Sequence, residues 1–288
     1  MADWTDGYWR SPDGLRLHYR DYPGPADRPP VLCFPGLTRN ARDFEDLAAA
    51  LSGEWRVIAV DLRGRGCSEF APDPMSYNPL TYLGDVETLL AELGISRFVA
   101  FGTSLGGLVA MLLAAIGPQR IAGALINDVG PEIEPVGLER IRAYVGRPLT
   151  WRGWSEAAAA LGEASRDIYP DWEEEEWLRY ARRLGRQQAD GSVVLDYDMA
   201  IAEPLKLPAP EVDLWPAFRA LAGSGPLLLV RGERSDLLSE ATLARMREEA
   251  PEMDVVTVPR VGHAPTLDEP EARVGIARLL ERVEGAAL

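Results

Sequence analysis

Val99-Ala-Phe-Gly-Thr-Ser-Leu-Gly-Gly-Leu-Val-Ala-Met111 carries an apolar run into a serine bracketed by glycines, then into a second apolar run. Three glycines within positions 102–107 benefit neither a strand nor a helix interior, because glycine has the most conformational freedom to lose on folding. Phe98–Phe101 reads as a short buried strand and Leu105–Ile116 as a helix, so Ser104 falls at the turn between them, beyond the carboxyl end of the strand. Open α/β sheets bind ligands at that edge. A tight strand-to-helix turn crowds the residues two before and two after its centre. Gly102 and Gly106 remove the side chains that would collide there. The plain alternative is a serine that only caps the following helix.

Outward from this turn, strand and helix patterns alternate. Leu15–Arg20 alternates as a half-buried strand. Val31–Phe34, Arg56–Asp61 and Ile121–Ile126 are short apolar runs of the kind buried on both faces of a parallel sheet. Phe44–Leu51 and Tyr82–Leu93 read as helices, the second stopped by Gly94. The order implies right-handed crossovers and an α/β fold, a mostly parallel twisted sheet with helices on both faces. The alternation breaks between about Pro131 and Trp215, where helical patches rich in Arg, Glu, Trp and Tyr carry no buried strand. It resumes with strands at Pro226–Arg231 and Met253–Val258 and helices at Ala241–Ala250 and from Glu271. The expected plan is a core of residues 1–130 and 216–288 with a helical insertion of residues 131–215.

With 288 residues, 47% of them hydrophobic, the chain can build one large domain with an insertion. A net charge of −15 repels phosphates and argues against a nucleic-acid partner. Cys33 and Cys67 are too few for a disulfide framework. Asp3 and Asp6 stand where a signal peptide would be basic and then apolar. No stretch approaches the ~18 apolar residues of a membrane span. These features lead us to expect a cytoplasmic protein with a small-molecule substrate and no membrane partner.

A hydroxyl needs a base to act as a nucleophile near neutral pH. The chain has two histidines. His18 lies inside the first alternating strand and reads as structural. His263 lies in the Gly/Pro loop Val258–Pro265 after the last strand, where loops carry function, and is expected to be the base. An acid must orient its imidazole. Asp236, in Arg231-Gly-Glu-Arg-Ser-Asp236 after the preceding strand, is the expected acid, with Asp128 after the Ile121–Ile126 strand and the nearby Glu233 as alternatives. An oxyanion needs preset donors. The N–H of Leu105, at the start of a helix, is one, and the N–H of Leu37 in Phe34-Pro-Gly-Leu-Thr38 is expected to be the second.

These stretches, together with DLRGRGCS (Asp61–Ser68) and VGHAPTLDEP (Val261–Pro270), resemble the α/β-hydrolase family, its serine-nucleophile branch with a helical cap. The resemblance runs from about Gly14 to the C-terminus. It implies an acyl-enzyme route, no metal, no organic cofactor, and a lid formed by residues 131–215. Family members commonly carry His-Gly before the oxyanion residue, where this chain has Phe34-Pro-Gly36. Because the donors are backbone groups, activity should survive that departure. In DLRGRGCS, Asp61 and Arg63 are expected to brace the loop, with Cys67 an ordinary small residue.

The leading expectation is a carboxylic-ester or lactone hydrolase for a small apolar substrate, with Trp151, Trp154, Tyr169, Trp172, Trp177 and Tyr197 as candidates to line its pocket. A carbon–carbon bond hydrolase or a cofactor-free perhydrolase could use the same three residues, with Arg140, Arg142 or Arg152 recognising a carboxylate. A ligand receptor or scaffold with little turnover is the alternative from another class.

Overall fold

The unbroken apolar runs become strands with no exposed face. The computed structural model describes residues 3–207 and 212–286. In chain order it contains β1 (Thr5–Arg10), β2 (Arg16–Tyr22), β3 (Val31–Phe34), α1 (Glu45–Leu51), β4 (Val57–Asp61), α2 (Pro79–Glu92), β5 (Phe98–Thr103), α3 (Leu105–Ile116) and β6 (Ile121–Asn127). There follow α4 (Pro135–Tyr144), β7 (Thr150–Trp151), α5 (Trp154–Ser165), α6 (Glu174–Leu184), β8 (Gly185–Gln187) and β9 (Val193–Leu195). The chain finishes with α7 (Trp215–Ala222), β10 (Leu227–Gly232), α8 (Glu240–Glu249), β11 (Asp254–Val258) and α9 (Pro270–Gly285).

Eight strands form one sheet in the order β1-β2-β4-β3-β5-β6-β10-β11. β1 and β2 pair antiparallel, as do β2 and β4; every later pairing is parallel. The sheet separates two apolar layers. Leu32, Phe34, Ile58 and Val60 face one of them, and Val31, Cys33, Val57 and Ala59 face the other. This is the period-2 rule of a strand applied where both faces are covered. The crossover at β3–β5 brings the carboxyl ends of β3, β5, β6 and β10 side by side, and the loops that leave them converge.

The segment between β6 and α7 packs over this edge. Helical patches were expected there, and α4, α5 and α6 supply them. The three-stranded antiparallel sheet β7-β9-β8 was not expected. Its strands are two or three residues long, too short to show a period. Trp151, Tyr169, Trp177 and Val193 form this segment's own small core, with Trp154 and Trp172 packed against it. Buried Arg183, at the end of α6, ties it to the main sheet layer through Glu45, Asp46 and Asp268. Asp196 does the same through Arg42, and Asp198 through the Tyr77 hydroxyl. Among the described residues, no helix is long and apolar enough to cross a membrane.

Asp61 and Arg63 hold the loop after β4. Asp61 accepts from the backbone N–H groups of Ala41 and Cys67, while buried Arg63 pairs with Asp85 and Asp13. His18 belongs to this network: its Nδ1 is 2.7 Å from Asp61 Oδ2 and its Nε2 is 3.0 Å from Asp6 Oδ1. Burial pulls the His18 pKa down, but hydrogen bonds and charge from Asp61 and Asp6 outweigh it, so the net direction is up. A raised folded-state value means the stabilisation is fully present below the ordinary imidazole value of about 6.5 and is lost as pH rises through the folded value. We expect the melting-temperature gap between the wild type and His18→Gln to be widest near about pH 6 and to shrink towards about pH 9, as read by thermal denaturation. A gap that is flat or widens with pH would contradict this assignment.

Candidate active site

Ser104 takes φ 52° and ψ −115°, a positive-φ conformation unusual for a residue with a side chain. The tightness of the turn shows in its glycines. A Cβ placed on Gly102 would meet the Gly106 carbonyl oxygen at 2.3 Å, and one on Gly106 would meet the Phe34 carbonyl oxygen at 1.9 Å. The glycines therefore bring β3, β5 and α3 into contact around the serine, the arrangement known as a nucleophile elbow. The Ser104 N–H donates to Asn127 O at 2.9 Å, which fixes the turn to the end of β6.

His263 Nε2 lies 2.9 Å from Ser104 Oγ, and its Nδ1 lies 2.8 Å from Asp128 Oδ2. A carboxylate can only accept, so Nδ1 carries the proton and Nε2 is left to accept from the hydroxyl. Asp128 is fully buried. Its second oxygen accepts from the Gly232 N–H at 2.9 Å, and its own N–H donates to Val230 O.

Asp236, the expected acid, is not at the imidazole. Its carboxylate is held by Arg140 of α4, through Nε at 2.5 Å and Nη2 at 2.9 Å. Burial alone would raise the Asp236 pKa; the Arg140 hydrogen bonds and charge, with a smaller effect from His263, bring it below the usual carboxylate value. Strand order and backbone conformation put Asp128, rather than Asp236, at the imidazole. β6 lies between β5 and β10 in the sheet, so a residue at its tip is adjacent to the serine turn. Asp128 adopts φ 56°, a left-handed conformation that aspartate and asparagine tolerate better than most residues. Asn127-Asp128 at a strand end was the available sequence signal. Glu233, the other alternative, accepts from the Arg260 N–H instead.

The N–H groups of Leu37 and Leu105 have no acceptor among the described residues; Leu105 opens α3, where the first amides lack intrahelical partners. The loop carrying Leu37 is steadied by fully buried Arg65, whose Nε donates to Leu37 O at 2.7 Å. Phe34 is fully buried and takes no part in the cavity lining.

A cavity of about 370 Å³ opens over Ser104 and His263. Leu37, Ile141, Leu149, Leu161, Ile168 and Leu195 give it apolar walls. Of the aromatic residues singled out from the sequence, Tyr169 and Tyr197 line it. The four tryptophans serve the inserted segment's own core instead. Tyr144 and Tyr180 line the cavity and were missed, as was Arg39. Tyr144 follows Arg140 by one helical turn, which places both on one face of α4.

His18, Asp61 and Cys67 offer the one cluster of metal-donor atoms among the described residues. Both imidazole nitrogens and the Asp61 carboxylate are already engaged in hydrogen bonds. Burial pushes the Cys67 thiol pKa up, which disfavours the thiolate a metal would need.

Residues 31–275 match the model of the alpha/beta hydrolase family. The 3-hydroxybutyrate-oligomer hydrolase of Cupriavidus necator is 39% identical over 93% of each chain. The 2-(acetamidomethylene)succinate hydrolase of Mesorhizobium japonicum is 32% identical over 82% of this chain and 81% of its own. A crystal structure of an alpha/beta hydrolase from Novosphingobium aromaticivorans, 59% identical, superposes with a TM-score of 0.94 over 98% of this chain and 99% of that one. The sheet order, the elbow and these likenesses agree, and the chain belongs to the alpha/beta hydrolase family.

Proposed function

We propose that this enzyme hydrolyses the carboxylic ester of a small hydroxy-acid substrate through an acyl-enzyme, with Ser104 as nucleophile, His263 as base and Asp128 as the orienting acid. The observation that carries the reading is the unbroken relay from Ser104 Oγ through His263 to Asp128, at 2.9 and 2.8 Å. As Oγ attacks the ester carbonyl, its proton passes to His263 Nε2, and Asp128 stabilises the imidazolium. The amides of Leu37 and Leu105 receive the oxyanion. The imidazolium then protonates the leaving alkoxide. Water, deprotonated by the same nitrogen, attacks the acyl carbonyl and frees Ser104. The inserted segment acts as a cap, contributing Ile141, Leu161 and Ile168 to an apolar chamber suited to short acyl groups. The 39% identity to a 3-hydroxybutyrate-oligomer hydrolase makes short 3-hydroxyacid oligomers the first substrates to try.

The test is labelling with a fluorophosphonate, followed by mapping of the adduct. A serine without an activating base does not react with such a probe at a useful rate. We expect one adduct, on Ser104, that abolishes ester turnover. An unlabelled Ser104 in folded protein, or turnover that survives complete labelling, would overturn the reading.

A further inference from the structure

Three arginines line the cavity; Arg183 is committed to Glu45, Asp46 and Asp268, whereas Arg39 and Arg140 are each engaged along only one edge. Arg39 follows the Leu37 loop and gives Nε and Nη2 to Asp43 at 2.6 and 2.5 Å. Arg140, on α4, gives the same two atoms to Asp236. Among the described residues neither Nη1 has a hydrogen-bond partner. In both groups the Nη1–Nη2 edge is therefore left to donate to a carboxylate end-on.

The surroundings support a built anion subsite. The Arg39 guanidinium lies over the Tyr180 ring, 4.6 Å from its centroid, which holds it flat. Tyr144 and Tyr180 also line the cavity, and both lie within electrostatic reach of Arg140. No acceptor is seen for either hydroxyl among the described residues, so both can donate to a ligand. A Cβ added to Gly36 would lie 3.2 Å from Arg39 Cγ and 3.8 Å from Ser104 Cβ. One glycine thus separates the arginine stem from the serine. Asp43 and Asp236 orient both arginines and balance their charge, which lessens the cost of burying them. Two plain surface ion pairs would gain nothing from converging, with phenolic donors, on an apolar chamber over Ser104.

We propose that Arg39 and Arg140, with Tyr144 and Tyr180, form a subsite for a free carboxylate, so that the substrate is an ester carrying one carboxylate away from the bond that is cleaved. The proposal rests on the ester-hydrolase reading above.

The test compares the linear dimer of 3-hydroxybutyrate, as the free acid, with its methyl ester. It uses the wild type, Arg140→Met, Arg140→Lys and Arg39→Met. We expect the wild type to prefer the free acid by about tenfold or more in kcat/KM, as a partly buried charge-assisted contact allows. That ratio should fall by about fivefold or more in either Met variant, chiefly through KM, and be partly restored by Arg140→Lys. In parallel, 3-hydroxybutyrate should slow fluorophosphonate labelling of the wild type more than 3-hydroxybutyramide does. This readout needs no turnover and reports only on folded protein. Equal use of acid and methyl ester with equal protection by the two small molecules would overturn the subsite and leave the hydrolase standing. Failure of Ser104 to react at all would overturn the hydrolase reading and the subsite with it.

Discussion

Asp128→Asn is expected to lower kcat for ester hydrolysis about 10⁴-fold with little change in KM, the loss seen when a triad acid becomes an amide. The asparagine fits the same space and can still meet the Gly232 N–H. It cannot accept from Nδ1 while its NH₂ group faces the imidazole, so the ring adopts the other tautomer and Nε2 carries the proton that should come from Ser104. Nor can it stabilise the imidazolium that forms on attack. Asp236→Asn should lower kcat by no more than about tenfold, because its effect passes through Arg140 and the cavity rather than through the base. The comparison needs both variants, steady-state kinetics on one short ester, and circular dichroism to verify folding. A larger loss from Asp236→Asn than from Asp128→Asn would reverse the assignment and mean that the His263 loop reorients in solution.

The same pair of residues marks the limit of what the sequence reveals. Ser104 was legible because its constraint is local: glycines two before and two after, a strand upstream and a helix downstream all lie within one short stretch. His263 was legible by elimination, since the chain has two histidines and His18 falls inside a strand. Leu105 follows from its place after the serine. The acid has no such local signature. Asp128 and Asp236 both follow parallel strands on the active edge. What separates them is a left-handed residue at the tip of β6 and an arginine arriving from α4. That contact spans 96 residues, and its existence depends on how the inserted segment lies over the sheet.

The inserted segment shows the same division. Its helices follow from the repeat of apolar positions at helical spacing, and α6 also from its start, where the Glu173 N–H donates to the Glu176 carboxylate ahead of Trp177. Its small sheet does not, because short strands are selected by their partners rather than by their own pattern. The tryptophans illustrate why composition misleads about pockets. A segment of this size must bury its largest apolar surfaces to hold itself together, so they go to its own core. The cavity is left to tyrosines, whose hydroxyls tolerate a wet wall.

Gly106→Ala is expected to be the most damaging single-methyl change in the chain. The new Cβ would lie 1.9 Å from the Phe34 carbonyl oxygen and 2.6 Å from its carbon. Those atoms are backbone at the end of β3, paired in register with Gly102 of β5, so no rotamer change relieves the overlap. Either α3 lifts from the sheet or β3 slides, and both movements separate Ser104 and Leu105 from the loop that carries Leu37. The expected cost is about 4 kcal/mol or more of unfolding free energy, at the upper end for a point substitution. The fraction that folds should lose about 10²-fold in kcat, the penalty for moving reacting groups by about 1 Å. Gly285→Ala supplies the control. That glycine ends α9 with nothing near its missing Cβ, so the change should stay within about 0.5 kcal/mol of the wild type. Denaturant titration of the two variants, followed by ester kinetics at matched folded fraction, measures both effects. Wild-type stability and turnover in Gly106→Ala would mean that the elbow is looser than the close approach of β3 and α3 requires, and that the Leu37 and Leu105 amides are not held at a fixed separation.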